Sequence, residues 1–116
     1  MGNRQKIKKE EERIRKLIRE ESDEGSPATR AWNRMLDYFA TNDYLEGNNH
    51  IRIIKYIYLT RYYMEDTEYY CACKNNIGER TLYRYRKKYI SCFQWYYNEE
   101  KQNEMQRKKE AMDEAH

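Results

Sequence analysis

The chain has one proline and four glycines in 116 residues. So few breakers are unusual for a protein of short strands and tight turns, and they favour long helices. No apolar run approaches the roughly 20 residues of a membrane span. The basic N-terminus has no apolar stretch like that of a secretory signal, so a cytoplasmic location and no membrane partner are expected. The glycines stand apart, at positions 2, 25, 47 and 78, which excludes a glycine-rich phosphate loop. The two histidines, His50 and His116, are far from the cysteines, and no Ser-His-Asp or Cys-His grouping can be read. Neither catalysis nor a cofactor is expected. The cysteines are Cys71, Cys73 and Cys92. Their C-x-C spacing departs from the C-x2-C pairs of a four-ligand zinc site, so the expectation is free thiols, with Cys71 buried, and no metal.

Charge and tyrosine are what the sequence has in quantity. Charged residues make up 37% of the chain and hydrophobic residues 39%, with 13 tyrosines. That mixture supports one compact core with polar helical ends. Tyrosine, apolar in body and polar at its tip, can line a thin core or an interface.

The expected fold class is all-α. Residues 1–24 read as a charged helical arm, with Ile7, Ile14, Leu17 and Ile18 as a narrow apolar stripe among acidic and basic side chains; a docked helix and a mobile arm both remain open. Ser26 and Pro27 suit a helix start, and Trp32, Met35, Leu36 and Phe39 give a core face to a helix expected over 27–41. Residues 46–49 (EGNN) carry turn chemistry. The next helix is expected over 50–64, with Ile51, Ile54, Tyr58 and Tyr62 on one face, Ile53 and Ile57 widening it, and Thr67 as the following cap. Residues 26–97 form the expected folded domain, with two helices and a tight joint over 68–97. Residues 98–116, with Met105 and Met112 seven apart, read as a frayed helix or a second arm.

The net charge of +3 is local in origin. Residues 67–95 carry six basic and two acidic side chains, whereas the three other segments are nearly balanced or acidic. Arg80, Arg84, Arg86, Lys87 and Lys88 follow one another with no acid between them. Phosphates attract such a run and release counterions on binding.

The sequence EYYCACKNNIGERTLYRYRK, residues 68–87, meets the demands of a helix-turn-helix. Ala72 is the small residue where the helices cross closely. Asn76 is a residue tolerant of a left-handed backbone. Ile77 plugs the angle, and Leu82 points inward from the second helix. At about 100° per residue, Tyr85, Tyr89, Phe93 and Tyr96 share the side of Leu82, while Arg80, Arg84 and Lys87 point away, flanked by Tyr83 and Lys88. Arg86 falls near the core side and must snorkel out or pair with an acid. Asn75 stands where a larger apolar residue is usual, which predicts loose packing, and Trp95 points away from the core. The recognition helix of such a motif enters the major groove of double-stranded DNA. This assigns base contacts to Arg80, Tyr83 and Arg84, and phosphate contacts to Thr81, Lys87 and Lys88.

Residues 77–90, IGERTLYRYRKKYI, resemble the recognition-helix region of the ArpU/RinA-type late-gene transcriptional regulators of phages and prophages of Gram-positive bacteria. The resemblance implies a helix-turn-helix like that of sigma-factor region four and a phage or prophage transcription regulator. It carries contact roles onto Arg80, Thr81, Tyr83, Arg84 and Lys87. Many such regulators bind as dimers, so a homodimer and a contact with RNA polymerase belong to this expectation. A terminase small-subunit-like packaging protein and a helical protein-interaction module are the alternatives, with RNA binding through Tyr83 a third.

Overall fold

A computed structural model describes the backbone of residues 2–60 and 68–114 and the side chains of residues 5–60 and 70–114. The described residues form five helices in order, α1 (Gly2–Glu20), α2 (Pro27–Glu46), α3 (His50–Leu59), α4 (Glu68–Lys74) and α5 (Glu79–Glu114). The described residues contain no strand, and the fold is all-α. None of their helices is long and apolar enough to cross a membrane.

Local chemistry sets the helix ends. Ser26 caps α2, its Oγ accepting from the Thr29 amide at 3.2 Å, and Pro27 occupies the first turn. No breaker follows Pro27 before Gly47, so α2 runs past the expected end at 41 to Glu46. Gly47 then ends it at φ 70°, its amide donating to the Asp43 carbonyl at 2.9 Å. The Asp43 carboxylate accepts from the His50 and Ile51 amides at 2.7 and 2.9 Å. It thereby caps α3 from the end of α2 and puts a negative charge at the positive end of the helix dipole. Helix α3 stops at Leu59, short of the expected 64, where Thr60 turns extended. Arg15 of α1 donates to the Ile57 and Thr60 carbonyls at that end. The expected face residue Tyr62 and cap Thr67 lie outside the described residues.

The core joins α2, α3 and α5. Trp32, Met35 and Phe39 of α2 meet Ile53, Ile54, Ile57 and Tyr58 of α3 and Leu82, Tyr89, Ile90 and Phe93 of α5. Leu36 and Ile51, both expected on core faces, are only partly buried. Phe39 and Tyr89 meet edge to face with centroids 5.0 Å apart, as Trp32 and Tyr58 do at 5.7 Å. Cys71 and Ala72 bring α4 onto this core.

Of the two readings left open for the N-terminal stretch, the structure has the docked helix. Ile7 and Ile14 of α1 are buried, and Glu11 between them is fully buried. Glu11 receives the Arg86 guanidinium through both carboxylate oxygens, Nη2 to Oε1 at 2.7 Å and Nε to Oε2 at 3.0 Å. Arg86, which its helical position puts near the core side, is thus an inward residue with 1% of its surface exposed, and of the two expected outcomes it pairs with an acid. Its position about 40° from the core centre puts the side chain among apolar neighbours, and a bidentate carboxylate meets its charge there. Further along, Gln94 donates to Glu10 at 2.6 Å and Tyr97 donates to Glu21 at 2.8 Å. Helices α1 and α5 therefore run side by side in the same direction.

Removing one member of a buried ion pair leaves an uncompensated charge in the core, whereas an apolar pair of similar volume can be neutral. Glu11→Ala should lower unfolding stability by about 3–5 kcal/mol in urea melts. Replacing both partners, Glu11→Leu with Arg86→Met, should recover most of that loss.

Candidate nucleic-acid interface

The joint between α4 and α5 is a four-residue turn, residues 75–78. Asn76 adopts φ 56°, as its tolerance of the left-handed region allows. Its amide donates to the Cys73 carbonyl at 3.1 Å, and the Ile77 amide reaches back to the Ala72 carbonyl at 3.0 Å. This pair of bonds is a Schellman C-cap, closed by asparagine where glycine is usual. Ala72 and Leu82 are each 2% exposed, and Ile77 packs against the core. Asn75 corrects the expectation of loose packing. It is buried, and its side-chain amide donates to the Cys71 carbonyl at 2.8 Å, so hydrogen bonding fills the place of an apolar residue.

Helix α5 begins directly after this turn. Arg80, Arg84, Lys87 and Lys88 are all exposed, and Thr81 and Tyr83 are half-buried. With about 1.5 Å of rise per residue, the four cations extend over about 12 Å of one helix face. No acid lies among them, since Glu79 stands before Arg80 and the next acid in sequence is Glu99. Arg84 Nη2 lies 3.4 Å from the Thr81 hydroxyl, a long contact. The Lys87 ammonium sits 4.8 Å from the centroid of the Tyr83 ring. Tyr83 is therefore a flanking residue whose ring is already engaged, and the forward-facing candidates are Arg80 and Arg84.

Two grooves border this face. A smaller one, of about 420 Å³, runs between α1 and α5, with Lys6 on one side and Tyr83 and Lys87 on the other. Reading α5 alone misses Lys6. The signal for it was present in residues 4–9, which hold four basic residues and no acid and precede the acids at 10–12. Docking of α1 parallel to α5 brings that basic end beside the basic end of α5. The larger groove, of about 760 Å³, lies between α2 and α5. Arg84, Lys87 and Lys88 line it at one end and Tyr38, Trp95 and Tyr96 at the other.

His50 lies buried under the larger groove. Its Nδ1 is 2.7 Å from the Tyr89 hydroxyl, and its ring meets Tyr85 with centroids 4.4 Å apart. Burial lowers the His50 pKa below its ordinary value; Asp43 and Glu46 oppose this, and Lys88 adds to it. Burial, then Tyr85 and Asp43, push Tyr89 well up, so a neutral imidazole faces a protonated phenol. Burial also pushes the Cys92 thiol in this groove up to about 11, so it is uncharged at neutral pH. Cys71 is buried, Cys73 exposed and Cys92 half-buried.

His50 gives the fold a defined acid sensitivity. With the folded pKa below the unfolded value of about 6.5, the unfolded chain binds more protons as pH falls. The His50 contribution is complete above pH ~6.5 and declines as pH drops through that value toward the lowered folded pKa. Urea melts from pH 7.5 to 5 should show this decline, and His50→Gln should flatten it even if the variant is less stable at pH 7.5. Comparison with known protein families, with characterised proteins and with solved structures gave no match.

Proposed function

We propose that the protein binds double-stranded DNA in a sequence-specific manner and regulates transcription, with α4, the Asn76 turn and α5 acting as a helix-turn-helix. The observation that carries this reading is the acid-free stripe of Arg80, Arg84, Lys87 and Lys88 on the exposed face of α5, starting directly after a tightly capped turn. A rigid turn holds a recognition helix at a set angle, and a one-sided cationic stripe can meet both phosphates and base edges. In this reading Arg80 and Arg84 contact bases, with Tyr83 beside them. Lys87, Lys88 and the half-buried Thr81 contact phosphates. Lys6 joins them from α1, as an addition from the neighbouring helix. The resemblance of residues 77–90 to the ArpU/RinA-type phage regulators supports the same assignment and favours a phage or prophage source. A cytoplasmic site of action, a homodimer on paired half-sites and a contact with RNA polymerase belong to this proposal as well.

Selection from a random duplex pool at two salt concentrations, followed by sequencing, tests it. One enriched motif with steep salt dependence is the expected result. Salt-dependent binding without enrichment would favour a packaging or architectural role, and absence of binding at low salt would overturn the DNA reading in favour of a protein-interaction module. On the selected site, Arg84→Ala should cost about 1–3 kcal/mol and relax base preference. Lys88→Ala and Lys6→Ala should weaken all sequences alike, each lowering the salt slope by about one. Loss of equal size from all three variants on every sequence would remove the base-reading role of Arg84.

A further inference from the structure

The larger groove is chemically divided. Its cationic end belongs to the stripe described above, but its other end presents two large aromatic side chains to solvent. Trp95 is 62% exposed and Tyr38 is 55% exposed. Both line the same groove, from α5 and α2 respectively, with Asn42 and Ser91 adding polar groups between the ends. Tyr96 is less available, because the Arg34 guanidinium lies 4.4 Å from its ring centroid. Trp95 also continues the outward face of α5, since positions 80, 84, 87, 88, 91 and 95 follow the helical period. About 22 Å of helix separates Arg80 from Trp95, so contact at Arg80 does not itself cover Trp95.

A groove of this volume falls within the range that encloses small organic ligands, roughly 300–1,000 Å³. Aromatic faces beside cations are the arrangement that holds an unpaired base and its backbone phosphate, with stacking indifferent to base identity. We infer that the groove between α2 and α5 takes an unstacked nucleobase with its phosphate, the base against Tyr38 and Trp95 and the phosphate at Lys88. The inference rests on the DNA reading and extends it, from a duplex alone to a duplex carrying an unpaired nucleotide at its end. A free mononucleotide has the same chemistry and is separated from that source by experiment.

The test is anisotropy titration of a blunt labelled duplex and of the same duplex with a short single-stranded overhang, using the wild-type chain, Trp95→Ala and Tyr38→Ala. Both side chains are exposed, so the variants should melt like the wild type. The overhang should strengthen wild-type binding by about tenfold, and each substitution should erase that gain while leaving blunt-duplex affinity unchanged. Equal wild-type affinity for both duplexes with no quenching by a free nucleotide, or a gain that survives both substitutions, would overturn the inference and leave the DNA reading standing on the blunt duplex. Failure to bind either duplex would overturn the DNA reading itself. A parallel titration with a deoxynucleoside monophosphate follows tryptophan emission. Quenching that Trp95→Ala abolishes, without an overhang gain, would assign the groove to a free nucleotide, and no quenching and no gain would leave it without a nucleotide ligand. Sedimentation velocity guards against self-association: a wild-type dimer lost in Trp95→Ala would mean that a second copy of the chain covers this face, against the inference.

Discussion

The Glu11–Arg86 ion pair is the constraint on which the arrangement of the exposed charge depends. A guanidinium or a carboxylate buried alone is heavily penalised, and the pair is tolerated because two hydrogen bonds meet both planar groups at once. Its effect is positional. Ile7 and Ile14 lie four residues before and three after Glu11, so the carboxylate shares their face, and apolar burial cannot proceed without bringing Glu11 to Arg86. Apolar contact alone would allow α1 to slide along α5, whereas a buried carboxylate held through both oxygens by the Arg86 guanidinium does not. The lengthwise register then follows, with Lys6 beside Lys87 at one end and Glu21 against Tyr97 at the other.

This pairing also shapes the surface by subtraction. The basic run of α5 comprises five cations in sequence, but the structure divides them into four outward and one inward. The inward arginine is neutralised by α1, and the outward four retain an acid-free face. Toward the C-terminal side, Arg34 of α2 holds Glu99 and Glu100 at 2.8 and 3.2 Å, so the acids that follow the aromatic stretch are tied down away from the cationic end. Beyond Glu100 only Glu104 is partly covered, and the remaining described side chains of α5 are exposed. The aromatic inner face anchors the helix as far as Arg34 reaches, and its charged continuation leaves the body of the protein, whose long axis is 59 Å.

Much of this was legible from periodicity. The Trp32, Met35 and Phe39 face, the cap at Ser26, the left-handed position of Asn76, the inward turn of Leu82 and Phe93 and the outward turn of Trp95 all depend on neighbours within a few residues, and local rules describe them. Helix lengths were less legible where the pattern faded before the helix stopped. The apolar period of α2 ends at Phe39, but nothing breaks the backbone until Gly47; likewise α5 has no breaker after Gly78 and continues beyond Glu100 through charged residues of which only Glu104 is partly covered. The partner of Arg86 was out of reach for a different reason. Rotation about a helix axis gives the angle of a side chain, and its counter-charge lies 75 residues away on a helix whose docking had itself to be decided. The same gap hid Lys6. Asn75 was misread because the place was judged by residue size, while the helix end needed a hydrogen-bond donor.

The exposed aromatic end of the α2–α5 groove bears on what kind of surface this is. A face that only repelled unwanted partners or kept the chain in solution would need charge and nothing more. Trp95 and Tyr38 work against that purpose, since each leaves a large apolar surface in water. The core does not need them either, being closed by Phe39, Tyr89 and Phe93 beneath. They line the same groove as Lys88 and Arg84. A partner that met only the cations would leave the rings wet, and one that met only the rings would bury the cations without a counter-charge. A phosphate joined to a planar base satisfies both demands at once, and that joint requirement narrows the chemistry more than either the charge or the aromatic surface does alone.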